Sequence, residues 1–260
     1  MAKKPTWVVD KERGKRAAAA ETLWLFGLHA VRDALANPAR EIRRLVVSRN
    51  AADKLSDSIA GRGIAPEIVD PRKFPVPLDP GSVHQGAAVE VKPLDWGDWR
   101  ALARGDGAGR SVIVLLDRVS DPHNVGAILR SAEVFGANAV IAPARHSAPE
   151  TGALAKTASG ALERMPYARV GNLGDAMEAL KSDGFWMVGL AEEGAEEIDV
   201  IAKRHAEGHV ALVMGAEGPG LRDRTRALCD ELAKIPFARD FGSLNVSNAA
   251  AVALYALTRG

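Results

Sequence analysis

The chain has 260 residues, 47% hydrophobic and 26% charged, enough to bury a core without covalent staples. Its single cysteine, Cys229, excludes an intramolecular disulfide and a multi-cysteine zinc site. No apolar run is long enough for a bilayer, and the first residues lack a signal peptide's apolar stretch. A reducing, bacterial-type cytoplasm, with no membrane attachment and no bound metal, is therefore the expected setting. The net charge of +1 is unevenly spread. Residues 1–110 carry 19 basic and 14 acidic side chains, leaving 15 and 19 for the rest. A polyanion would meet the first part more readily than the second.

In chain order, residues 1–20 read as a disordered basic tail ending in "AAAA". "LWLFG" then reads as a strand and "HAVRDALAN" as a helix stopped at Asn37-Pro38. "RRLVVS" is strand-like, "AADKLSDSIAGRG" a helix closed by glycine, and "APEIVD" and "HQGAAVEVKPL" two more strands. These make a small α/β domain over 21–95. Gly105, Gly107 and Gly109 mark 96–110 as a linker. Residues 111–260 restart with "SVIVLLDRV" and alternate again, with strands "NAVIAP", "FWMVGLA", "VALVMG" and a short "KIPF". Repeated β-α alternation predicts a mainly parallel sheet with helices on both faces.

Three stretches carry chemistry. In "LLDRVSDPHNVGAILRSAEVFGA" a strand ends and a helix begins near Asn124. Val125, Ile128, Leu129, Ala132 and Phe135 follow helical spacing as its buried stripe. At about 100° per residue Arg130 faces the other way, in a region where parallel sheets place ligands. The alternatives are a solvated arginine and, for Asn124, an N-cap. In "VALVMGAEGPGL" a buried strand opens into Gly215, Gly218 and Gly220 around Glu217. The spacing fits neither the dinucleotide fingerprint nor the phosphate loop, so it reads as a ligand loop or a tight turn. In "IPFARDFGSLNVSNAAAVALYAL" a loop from Gly242 to Ser247 precedes a helix. One Ser or Asn suffices as a cap, leaving the others for recognition.

Together and in this order, the three stretches resemble the SpoU/TrmH group of the SPOUT superfamily, the S-adenosylmethionine-dependent 2′-O-ribose RNA methyltransferases. Asn124 and Arg130 look like its first motif, "GAEGPGL" its second, and "IPFARDFGSLNVSNAAAVALY" its third. "GLHAV" (27–31) and "VHQG" (83–86) extend the likeness to bacterial large-subunit rRNA guanosine methyltransferases, whose first domain is a small α/β RNA-binding module. The resemblance implies a C-terminal α/β SPOUT domain with a trefoil knot, a homodimer, and RNA, most specifically 23S rRNA, as partner. It implies S-adenosylmethionine held by Met214, Gly215, Ile235, Pro236, Ser243 and Leu244, and catalytic roles for Asn124, Arg130, Glu217 and Asn245. "ARDFG" departs from the smaller residues of relatives, and Arg239 and Asp240 receive no role. Two other readings remain: a tRNA ribose methyltransferase, and a catalytically silent RNA-binding or ribosome-assembly protein.

A guanidinium is effectively always protonated, so the expected part of Arg130 is to bind phosphate and stabilise a developing alkoxide. His205 and His209 lack the order and further ligands of a metal site. His123 reads as a turn residue, His29 and His84 as first-domain residues, and Cys229 as core filler.

Overall fold

The structure is a computed structural model describing residues 22–78, 81–107, 109–238 and 243–259. The basic tail at 1–20, and Arg239, Asp240 and Gly242, lie outside the described residues. Contacts divide the chain into two units. The first takes Met1–Asp95 and Ala148–Glu163, the second Trp96–Ser147 and Arg164–Gly260.

The first unit holds β1 (Leu23–Phe26), α1 (Leu28–Ala36), β2 (Ile42–Val47), α2 (Arg49–Lys54), α3 (Ser56–Arg62), β3 (Glu67–Ile68) and β4 (Ala87–Val91). Its sheet order is β1-β4-β2-β3, with β4 antiparallel to both neighbours and β3 parallel to β2. The helix predicted over 51–63 is two helices meeting at buried Leu55. Ser48 Oγ accepts from Ala51 N at 3.2 Å to cap α2, and Gly63, with φ 68°, closes α3.

The second unit opens with α4 (Trp99–Arg104), β5 (Val112–Asp117), α5 (Pro122–Val134) and β6 (Ala139–Pro143). The chain then contributes α6 (Gly152–Ala158) to the first unit. It returns through β7 (Tyr167–Val170), α7 (Leu173–Ser182), β8 (Phe185–Leu190), β9 (Glu196–Glu197), α8 (Ile198–Arg204), β10 (His209–Gly215), α9 (Asp223–Leu228), β11 (Glu231–Lys234) and α10 (Val246–Arg259). The seven strands are all parallel, in the order β7-β6-β5-β10-β8-β11-β9. One face packs Ile113, Leu115, Ile141 and Val213 against Met177 and Leu180 of α7. Helices α5 and α8 both pack against α10, which also touches β10.

Three features differ from the sequence reading. The stretch expected as a linker contains α4, whose Ala103 is buried in the core with Trp99 and Leu102 beside it. Those three positions form an i, i+3, i+4 apolar stripe. The strand expected at "KIPF" is β11, which ends at Lys234, so Pro236 lies beyond the ladder. The short strand β7 sits at the sheet's edge, where "YARV" shows little alternation.

Within the first unit, Arg40 is fully buried. It donates from Nε and Nη2 to Glu163 at 3.0 and 2.8 Å, and from Nη1 to Glu150 at 3.1 Å and Lys92 O at 2.7 Å. Two carboxylates thus share one cation. Burial pushes the Glu150 carboxyl above the usual carboxylate range, against the pull of Arg40 and with added repulsion from Glu163.

Candidate active site

Because all seven strands are parallel, their C-terminal ends share one edge. The chain runs from β5 through β6 to β7 on one side, and β8 then lies on the far side of β10. The order therefore switches sides between β5 and β10, where parallel sheets open a ligand crevice. After β5, Arg118 adopts φ 62° and turns the chain outward. Asp121 Oδ1 accepts from His123 N at 2.9 Å, with Pro122 following the cap. That geometry makes Asp121 the N-cap of α5 and leaves the Asn124 side chain for other contacts.

Asn245 is the cap of α10. Its Oδ1 accepts from Ser247 N at 2.9 Å and from Ser247 Oγ at 2.6 Å, and its carbonyl accepts from Ala249 N at 2.9 Å. A backbone N–H can only donate, so the Asn245 oxygen must face the helix and its nitrogen must face away. Nδ2 donates to Asn124 Oδ1 at 3.0 Å and to Glu217 Oε1 at 3.3 Å. Asn124, accepting through its oxygen, donates from Nδ2 to Glu217 Oε2 at 3.4 Å. One backbone N–H thereby orients two amides and presents two donors to one carboxylate. Asn124 is buried, whereas Glu217 and Asn245 are exposed.

The loop carrying Glu217 is a tight turn. Ala216 and Gly220 exchange backbone hydrogen bonds at 3.1 and 2.9 Å, while Gly218 and Gly220 take φ 83° and 68°. A Cβ on Gly215 would lie 2.2 Å from Gly220 C and 2.4 Å from Leu221 N. The glycine is thus required by the chain's own returning backbone. Buried Asp117 closes the loop, accepting from Arg222 N at 3.0 Å and Arg222 Nε at 2.6 Å. Sequence reasoning missed this pair. Its signal was an acidic residue ending the otherwise apolar run "VIVLLD".

Arg130 lies on α5 away from its buried stripe of Val125, Ile128, Leu129 and Ala132. It is exposed, with no hydrogen-bond partner among the described residues. The residues expected to hold the cofactor all fall on the strands' C-terminal edge. Met214 and Gly215 end β10, Ile235 and Pro236 follow β11, and Ser243 and Leu244 precede α10. Leu244 is 41% exposed and Phe237, just after Pro236, 43% exposed. Large apolar side chains thus lie exposed beside a polar, hydrogen-bonding edge, the combination that small-molecule sites use.

The remaining candidates have structural duties. His205 Nε2 is 3.3 Å from Glu231 Oε1 and its ring stacks on Trp186 at 4.6 Å. His209 Nδ1 accepts from Ser111 N at 3.0 Å. Burial pushes the Cys229 thiol up to about 12, which leaves it inert as a nucleophile. Among the described residues no group of three or more His, Cys, Asp or Glu side chains could hold a metal, and no helix is long and apolar enough to cross a membrane.

Residues 111–255 match the family described as SpoU rRNA Methylase, and residues 24–96 match RNA 2′-O ribose methyltransferase substrate binding. A relative from Photobacterium profundum is 39% identical over 244 residues, covering 90% of this chain and 96% of its own. One from Vibrio cholerae is 38% identical over 245 residues, covering 90% and 96%. Both are named 23S rRNA (guanosine-2′-O-)-methyltransferase RlmB. The crystal structure of the SpoU methyltransferase AviRb from Streptomyces viridochromogenes, in complex with the cofactor AdoMet, shares the fold. Its TM-score is 0.78 at 24% identity, over 98% of each chain.

Proposed function

The chain belongs to the SpoU rRNA methylase family, and on that premise we propose that it methylates a guanosine ribose 2′-hydroxyl of 23S rRNA with S-adenosylmethionine. The relatives' shared name gives the substrate. The observation that carries the reading to this chain is the Asn124–Asn245–Glu217 cluster, which joins three separate sequence motifs at the sheet's switch point.

S-adenosylmethionine supplies an electrophilic methyl group on a sulfonium. Met214, Gly215, Ile235, Pro236, Ser243 and Leu244 would hold it, chiefly through backbone groups and apolar contact. Arg130 binds the phosphate beside the reacting ribose and stabilises charge that develops on the 2′-oxygen. Glu217 uses one acceptor position on each oxygen for the two amides, leaving others for the ribose hydroxyl. Asn124 and Asn245 fix that carboxylate, so the hydroxyl meets a prepared acceptor.

The same reading includes a knotted path through the last segments, a cytoplasmic setting and a homodimer. Exposed Val134 on α5 and exposed Val252 and Tyr255 on α10 support the dimer. These two helices pack together and leave apolar side chains outward, as association surfaces do. The test is to incubate the full chain and radiolabelled S-adenosylmethionine with unmodified 23S rRNA and tRNA transcripts, then map the label. Label on a 23S guanosine ribose is expected; label only on tRNA, or none, overturns the reading.

A further inference from the structure

The two first-domain signatures, "GLHAV" and "VHQG", meet at one edge of the four-stranded sheet. The C-terminal ends of β1, β2 and β3 and the start of β4 share that edge. Four segments meet there, the helix starts at 27–29 and 48–50 and the stretches 69–74 and 83–86, and they are stitched together. Gly27 N donates to Ala87 O at 3.0 Å, and Ser48 N to Gly86 O at 2.7 Å. Leu28 N donates to Gln85 Oε1 at 3.1 Å, so Gln85 caps α1 from a distant loop. Phe74 and His84 stack with ring centroids 4.2 Å apart and planes 20° from parallel.

Several signature residues are consumed in building this edge. Gln85 sits at φ 52° and Gly86 at φ 75°, and a Cβ on Gly86 would lie 2.3 Å from Ser48 Oγ. A left-handed glutamine costs about 1–2 kcal/mol, and here its side chain satisfies the first donor of a helix in return. Of the stacked pair, only the edge of the His84 ring has such a duty. His84 Nδ1 accepts from Gly86 N at 3.1 Å, which leaves Nε2 as the ring's donor.

Charge selects the same edge. Arg49, Arg72 and Lys73 are exposed there. The single acid among the described residues of these segments, Asp70, has its Oδ1 occupied by Arg72 N at 2.9 Å. At the opposite edge Arg43 and Lys92 share Glu41, at 2.8 and 3.0 Å, so one of their two charges is answered.

We propose that this edge docks an unpaired stretch of the RNA substrate, whose phosphates meet Arg49, Arg72 and Lys73 and one of whose bases stacks on the His84–Phe74 ring pair. The inference rests on the reading of the chain as an RNA-modifying enzyme. A flat ring pair receives only a base released from its helix, and such stacking tolerates any sequence.

Filter binding of the full chain to a 23S rRNA transcript over a salt series tests it. The combined variant Arg49→Ala, Arg72→Ala, Lys73→Ala is expected to bind at least tenfold more weakly. Its log-affinity slope against log salt should flatten by about 2, at roughly 0.7 per single-strand phosphate contact. His84→Ala should lose about tenfold with the slope unchanged, and His84→Phe should restore it. Arg43→Ala with Lys92→Ala is the control and should bind like the native chain. Equal binding by the triple variant and the native chain overturns the proposal, as does equal loss in the control. The enzymatic reading is scored separately: a native chain that binds through this edge but transfers no methyl leaves the surface standing and removes the activity.

Discussion

Asn245 Nδ2 lies 3.0 Å from Asn124 Oδ1, across 121 residues of sequence. The same Asn245 side chain caps α10 through its oxygen. Cap and site are therefore two ends of one amide, and substitution can separate them. Asn245→Asp keeps an oxygen for Ser247 N but turns a second oxygen toward Asn124 Oδ1 and Glu217. It should leave Tm within a few degrees while methyl transfer falls about 100-fold or more. Asn245→Ala should lose both, with about 1 kcal/mol of stability from the missing cap. Thermal melts beside a radiolabel assay distinguish the two. Parallel loss of stability and activity in Asn245→Asp would reduce Asn245 to a cap.

Arg130 supports nothing in the fold, being exposed and outside the buried stripe of α5. Arg130→Ala should keep native Tm and cofactor affinity, yet lose about 100- to 1000-fold in methyl transfer. Calorimetry with S-adenosylmethionine and single-turnover transfer measure the two arms. Near-normal turnover would remove Arg130 from the mechanism.

Gly215 is a poor place to probe the cofactor, because a side chain there first meets Gly220 and Leu221 backbone. Gly215→Val should therefore lower stability along with cofactor binding. Leu244→Ala, at an exposed position, should keep Tm and weaken S-adenosylmethionine binding several-fold in calorimetry. Unchanged affinity would place the cofactor elsewhere.

The Asp117–Arg222 clamp makes a further demand. Asp117→Ala strands a backbone N–H and an arginine, costing about 2–3 kcal/mol. Asp117→Asn keeps one acceptor and should cost less. Urea unfolding of both variants checks the order. Equal stability of Asp117→Ala and the native chain would show that the clamp does not hold the loop.

In the first unit the two glutamates on Arg40 should behave oppositely. Glu163→Gln weakens the bidentate partner of a buried cation and should cost about 3 kcal/mol or more. Glu150 titrates above the ordinary glutamate range because of burial. From the unfolded value upward, the folded chain keeps a proton that the unfolded chain has lost, so stability falls as pH rises through that window. Glu150→Gln cannot titrate, so the native chain's stability relative to this variant should decline between about pH 5 and about pH 7.5. Urea melts at both values read it. A constant difference would mean that Glu150 is not perturbed.

What the sequence revealed, it revealed through local rules. Helical spacing alone turned Arg130 away from the core, and glycine punctuation located the turn around Glu217. Short and edge elements are read least well because their pattern is too brief: β7, four residues at the sheet's edge, is missed, and β11 ends at Lys234, displaced from the strand expected at "KIPF". Asp117 and Arg222 are 105 residues apart, and Arg40 and Glu163 are 123 apart. No window of periodicity spans such pairs. Asn245 was singled out by family resemblance, but its double duty follows only from the direction of one N–H.

The placement of 148–163 in the first unit also bears on how the polypeptide is made. A domain ending at Asp95 could close as soon as it left the ribosome. This one cannot, because the carboxylates that answer Arg40 belong to Glu150 and Glu163. At roughly 5–20 residues per second, several seconds of synthesis separate the cation from its partners. During that interval β5 and β6 have already emerged, so the two units must mature in overlap, and the RNA-binding part is finished only after the catalytic sheet has begun.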